Sequence, residues 1–162
     1  MDSNDPIQEN SEYRYGEILK KDKAYYVIMT PSCDFQMRSN GTRNVEVVVL
    51  FEAFLLKENG DYVNYYTKRT GKSKLLNLMH NKLPRYHYLP GTSFISDLVI
   101  DFQKKKLISY DDLQKQFERI AILDSPFAES LLSRHIAYYS RIGTPDLDID
   151  YIINDLCGDI VK

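Results

Sequence analysis

Residues 25–35 read YYVIMTPSCDF. Aromatic and β-branched residues fill the front of this run, the composition of a strand in a half-buried sheet. Pro31 has no amide hydrogen for a strand ladder, so it ends the strand and delivers Ser32, Cys33 and Asp34 together just beyond it. Upstream, the polar turn Lys21-Asp22-Lys23 separates this strand from a second run at 15–20, YGEILK, and the pair predicts a β-hairpin. The functional question is whether Cys33 and Asp34 form a reactive centre or close off a strand.

Outward from the hairpin, the turn Ser39-Asn40-Gly41 leads to a long apolar run at 45–57, which predicts a central strand that bends or passes into a helix near Phe51. Asn59-Gly60-Asp61 then reads as a turn into a return strand at 62–67, and Leu75, Leu76, Leu78 and Met79 predict a short helix over 72–82. Strand patterns resume at 86–89 and at 97–103, DLVIDFQ. Ser109 followed by Asp112 is a capping-box-like start for a helix over 110–117, because hydroxyl and carboxylate can satisfy the free amides of a first turn. A further strand is expected at 120–123. Ser125-Pro126 predicts a long helix with proline at its first position, running to about Arg141 and closing at Gly143 before Pro145. Strands first, a helix inserted and helices last define an α+β fold: a small twisted β-barrel with an inserted helix and a C-terminal helical layer.

The 162 residues are 43% hydrophobic, enough for one domain with a core, expected over 13–162. The first twelve, MDSNDPIQENSE, hold little to bury and predict a disordered lead-in or linker. At the other end Ile149, Ile152, Ile153, Leu156 and Ile160 fall at helical spacing, which points to a docking tail or to a domain cut from something longer. The net charge is −2, so no global positive field exists to hold nucleic acid. Two cysteines far apart and no apolar run near the roughly 20 residues of a membrane span indicate a cytoplasmic chain without membrane contact. Gly71-Lys72-Ser73 lacks the upstream glycine of a phosphate loop, no dinucleotide or protease motif is present, and no cofactor is expected.

A nucleophilic Cys33 would need a base, and His80, His87 and His135 are the three histidines available. Cys33, Asp34 and His135 are accordingly the catalytic candidates, although free cysteine is among the most buried residue types and a core role is preferred. No metal site is expected, since structural zinc takes four ligands in short local pairs. Asp34 can bond local amides or pair with Arg43, Arg134 or Arg141, and a structural role is preferred. Arg134 and Arg141, seven apart on one helix, could share a carboxylate, a phosphate or a partner chain. Asp34, Arg38, Arg43, Arg134 and Arg141 are thus the binding candidates. Lys104-Lys105-Lys106 with Lys68, Arg69, Lys72 and Lys74 could form a nucleic-acid patch, but short lysine runs beside strands usually keep an edge solvated. Thirteen tyrosines suit interfaces and base stacking alike.

Gly16-Glu17-Ile18, the YYVIMTPSCDF strand, the loop to Arg43, RYHYLPG at 85–91, DLVIDFQ and SPFAESLLSRHIAYYSRIGTPD at 125–146 together resemble an uncharacterised prokaryotic domain with a Cys-Asp motif after its first hairpin, found in bacterial phage-defence and receiver-linked signalling proteins. The resemblance spans 15–146. It implies a non-enzymatic binding or regulatory module whose partner is another domain or subunit of the same system. More distantly, Gly16-Glu17-Ile18 and the strand ending at Ser32 are similar to MazF/PemK-type SH3-like barrels, which implies an SH3-like barrel and, as an alternative, an endoribonuclease toxin activity. The first loop is too short for the substrate-binding excursion of such toxins, and none of Arg38, Arg43, Lys68 and Arg69 falls in a matching motif.

Overall fold

The computed structural model describes residues 12–141 and Ile153. Strands β1 (Glu17–Lys21) and β2 (Ala24–Ile28) form the expected hairpin, with Ile18 opposite Val27 and Lys21 opposite Ala24. Asp22 takes a positive φ of 56° in the turn, a conformation that aspartate tolerates better than most residues. Helix α1 (Ser32–Phe35) follows, then β3 (Val47–Leu55) and a 3₁₀ turn (Leu56–Glu58). The chain continues through α2 (Gly60–Lys68), α3 (Lys72–Met79), β4 (Tyr86–Leu89), β5 (Leu98–Ser109), α4 (Tyr110–Gln116), β6 (Glu118–Ile122) and α5 (Phe127–Tyr139).

The strands make one antiparallel sheet in the order β4-β5-β3-β2-β1-β6, curled into a half-barrel. The curl has a local cause. Opposite β3 the register jumps: Phe51 faces Lys105 but Ala53 faces Ile100, so an irregular stretch of β5 stands against Glu52. Such a bulge bends a strand and increases its twist.

Alternation along the strands builds two covered faces. Ile18, Val27, Phe51, Ile100 and Phe102 look to one side, under α5, whose Leu131 is fully buried among them. Leu19, Ile28, Leu50 and Ile108 look to the other, under Leu113 of α4 and Phe35 of α1. On this second side, beyond the bulge, Val99 and Leu56 are roofed by Leu75 and Leu78 of α3, with Tyr62 and Tyr65 of α2 alongside.

Three expectations need correction. Residues 62–67 are helical, not a return strand, because the Asn59 side chain accepts from the amides of Asp61 (2.8 Å) and Tyr62 (3.3 Å) and so caps a helix where Asn-Gly-Asp suggested a turn. β3 does not pass into a helix near Phe51: it runs on past the β5 bulge to Leu55 before the 3₁₀ turn. Pro126 stands at the cap position of α5, one residue ahead of the first helical residue. The lead-in at 1–11, the closing Gly143 and the terminal helical pattern, apart from Ile153, lie outside the described residues.

Candidate functional site

The Ser32–Phe35 turn decides the fate of Cys33. Successive residues of a helix are about 100° apart, so residues 33 and 35 point to nearly opposite sides. Phe35 takes the inner side: it is fully buried between Tyr13 (ring centroids 6.0 Å) and Tyr110 (6.2 Å). Cys33 is left exposed, with its Sγ 3.9 Å from Asp34 Oδ1, which corrects the expectation of a core cysteine. His87 and His135 pack against Phe102 on the opposite face of the sheet, and among the described residues no hydrogen bond joins Cys33 to a histidine.

Asp34 holds its loop through the backbone. Its amide donates to Pro31 O (3.1 Å) and its carbonyl accepts from Val45 N (3.1 Å), while Tyr15 N donates to Ser32 Oγ (2.9 Å) one turn earlier. The expected pairing of its carboxylate with an arginine is not made. Arg43 instead donates from Nε to Phe35 O (3.0 Å) and lies over the Tyr110 ring (5.1 Å), at the rim of an open recess of about 310 Å³ that also takes in Glu46 and Asp111. Arg38 is exposed and serves the next turn by backbone bonds with Thr42 and Gly41.

Arg134 and Arg141 are not brought onto a shared ligand. Arg134 donates from Nη2 to Leu83 O (2.9 Å) and Tyr86 O (2.8 Å), latching α5 to the segment that enters β4, and burial pulls its pKa down. Arg141 caps its own helix through Tyr138 O (3.0 Å) and stacks on the Tyr138 ring (4.1 Å).

Sequence reasoning missed the buried polar pairs. Glu17 is wholly buried, bonded to the Arg119 guanidinium and to Arg14 N (3.1 Å). Asp101, on β5 beside the bulge, receives both Nε (2.8 Å) and Nη2 (2.6 Å) of Arg85. Asp97 takes the Tyr88 hydroxyl (2.6 Å) and Gly91 N (3.0 Å), closing a loop so tight that a Cβ on Gly91 would lie 2.8 Å from Asp97 N. His87 is 1% exposed with Nδ1 unpartnered, and burial, aided by the Arg134 charge, lowers its pKa to about 4. All of these groups except Glu17 carry β4 and its flanks, and each reads as framework. An acidic residue inside an apolar strand, as in LVIDF, was the available signal, since a buried carboxylate requires a donor.

Two further surfaces stand open among the described residues. The first is a recess of about 440 Å³ at the hairpin turn, lined by Lys21, Lys23, Tyr25, Tyr26, Phe54 and Lys106 among others. There the Lys106 ammonium lies over the rings of Tyr26 (5.3 Å) and Phe117 (5.6 Å).

The second lies on the α5 side of the sheet. His135 and Tyr139 cover Phe51, with ring centroids 5.1 and 6.2 Å away, and Phe51 pairs with Lys105, whose charge helps lower the His135 pKa after burial. The next same-face pair along the strands is Val49 with Leu107, and then Val47 opposite Ser109. Among the described residues no helix buries Leu107, 60% exposed, or Val47, 52% exposed, while Val49 is partly buried against the α5-side core. Leu132, Ile136 and Tyr139, at i, i+4 and i+7 on α5, are exposed too and make an apolar stripe on the helix that borders this row. Lys105 borders the row on β5, while Lys106 points to the opposite face over Tyr26 and Phe117, and Lys104 pairs with Glu52 (2.7 Å).

No protein-family model matches the chain, and no curated protein matches it. Fold and surfaces define the class: an α+β protein on a curled antiparallel half-barrel, with Val47 and Leu107, at one end of its α5-side face, exposed among the described residues and Lys105 beside them. Among the described residues no group of histidine, cysteine and carboxylate side chains is placed to hold a metal, and no helix is long and apolar enough to cross a membrane.

Proposed function

We propose that the chain is a non-enzymatic binding module of a prokaryotic anti-phage defence or signalling protein, working in the cytoplasm. One observation carries the binding role: Val47 and Leu107, flanking the partly buried Val49, are exposed at one end of the α5-side face, with Lys105 next to them and the exposed Leu132, Ile136, Tyr139 stripe on α5. Surface of that kind marks interaction sites. The occupant it fits is an amphipathic helix with an acidic polar edge, presented by another domain or subunit of the same system. The defence or signalling context rests on the sequence resemblance. The SH3-like assignment belongs to the same proposal and is supported by the β1-β2-β3 meander that opens at Gly16-Glu17-Ile18.

An endoribonuclease is the second reading, and the hairpin recess favours it, because lysines over aromatic rings beside Glu58 could stack a base and hold a phosphate. Filter binding of single-stranded RNA across a salt series, together with a cleavage assay, separates the two readings. The binding-module reading expects neither salt-dependent affinity nor cleavage. Either result at the recess, abolished by Lys106→Ala, would replace it with the ribonuclease.

A further inference from the structure

Arg43 joins a fixed guanidinium to an open recess. Its Nε donates to Phe35 O (3.0 Å), and the guanidinium lies over the Tyr110 ring (5.1 Å). Packing fixes both supports: Phe35 is fully buried, and Tyr110 lies against Phe35 (ring centroids 6.2 Å) and Tyr13 (5.9 Å). The two Nη groups of Arg43 have no hydrogen-bond or ion-pair partner among the described residues. The recess, about 310 Å³, is lined by Arg43, Val45, Glu46, Ser109, Tyr110 and Asp111, and backbone bonds set its walls: Val45 N donates to Asp34 O (3.1 Å), and Tyr110 N to Glu46 O (3.4 Å). The carboxylates of Glu46 and Asp111 are likewise without a partner among the described residues. One cation and two anions thus share a small recess without neutralising one another.

The geometry points to a binding site for a small zwitterion of the amino-acid class. A guanidinium already held at Nε loses little freedom when its Nη hydrogens take a carboxylate. The ligand's ammonium then lies against Glu46 and Asp111, and the carbon chain between the two charges rests on Val45 and the Tyr110 ring. Ligands with one kind of charge fit less well: a plain anion meets two carboxylates beside Arg43, and a plain cation meets the arginine. The volume is at the small end of ligand sites, and the open side keeps affinity modest, on the order of millimolar. The site is separate from the α5-side face, since Val45 and Tyr110 pack with Phe35 on the other side of the sheet, so it does not depend on the reading of that face.

The test is an NMR titration of the isotope-labelled full chain with the common α-amino acids, β-alanine and 4-aminobutyrate, beside propionate and propylammonium as half-ligands. At least one zwitterion is expected to shift the Arg43 side-chain Nε–H and the amides of 43–46 and 109–111 saturably, with an affinity at least tenfold above either half-ligand. Arg43→Lys keeps the charge but loses the planar fork, and should weaken that zwitterion at least tenfold. The double variant Glu46→Gln/Asp111→Asn should weaken it severalfold while leaving propionate no weaker. Both of these residues are exposed, so the double variant keeps the test valid if Arg43→Lys disturbs its loop. No shift from any zwitterion at concentrations tenfold above the expected range overturns the inference. So does propionate binding as tightly as every zwitterion, the mark of a plain anion site, and so does a zwitterion affinity that both variants leave unchanged.

Discussion

Cys33 and His87 illustrate how little residue type alone decides. Composition favours a buried cysteine and leaves the histidine's role open. The helical turn at Ser32–Phe35 reverses the first expectation by giving Phe35 the pocket, and strand alternation fixes the second by placing His87 opposite Ile100, facing inward. Cys33→Ala should leave stability within about 0.5 kcal/mol of the wild type, since an exposed side chain with one weak neighbour has little to lose, and should leave partner binding untouched. Loss of function with an unchanged melting temperature would restore Cys33 as a reactive group. His87 predicts a pH dependence. Its pKa in the fold, about 4, lies below the ordinary 6.5, so between these values the unfolded chain takes up a proton that the folded chain refuses. Stability is therefore full above pH 6.5 and declines as pH falls toward 4, by on the order of 3 kcal/mol in total. Thermal melts of wild type and His87→Phe at pH 7 and pH 4.5 check this: the wild type should lose more, and equal losses would mean that His87 is not the group responsible. Asp97 and Asp101, whose pKa values are lowered by their hydrogen bonds, add losses at more acid pH that both proteins share.

The elements that sequence showed plainly are those specified by short-range chemistry. The β1–β2 hairpin follows from its polar turn, and α4 from Ser109, whose hydroxyl accepts from Asp112 N (3.1 Å) and donates to the Asp112 carboxylate (2.8 Å). α2 was obscure because Asn-Gly-Asp serves a turn and a helix start equally well, and Tyr62, Tyr65 and Tyr66 fit either period. What decides is tertiary: Tyr62 and Tyr65 pack beside Leu56 and Leu75, a burial that helical spacing permits. Asn59→Ala should cost about 1 kcal/mol and speed exchange of the α2 amides more than those of α5; an equal effect on both helices would argue that the cap is not local. The β3–β5 bulge was not visible either, because a bulge is a relation between two strands far apart in sequence.

On the scale of the molecule, composition already implied a chain with a core and no nucleic-acid field, and the order of strands and helices implied α+β. The site was less legible. Exposure of Val47 and Leu107 depends on where α5 stops across the sheet, and no local pattern in the VEVVVL or KKKLIS runs reveals that. The arginines singled out from sequence turned out to be divided between two faces, Arg134 as a latch and Arg43 as a loop clamp. The lysines of β5, read as a solvated edge, are divided by strand alternation: Lys105 stands beside the exposed row and Lys106 lies over Tyr26 and Phe117 on the other face. The most direct test of this account is the dissociation constant for the partner domain or subunit, measured for the wild type, Leu107→Asp and the recess variant Lys106→Ala. The account predicts at least a tenfold weakening for Leu107→Asp, about 1.4 kcal/mol or more, with a much smaller change for Lys106→Ala. Undiminished affinity in Leu107→Asp, with loss in Lys106→Ala, would contradict it and move the binding site to the hairpin recess.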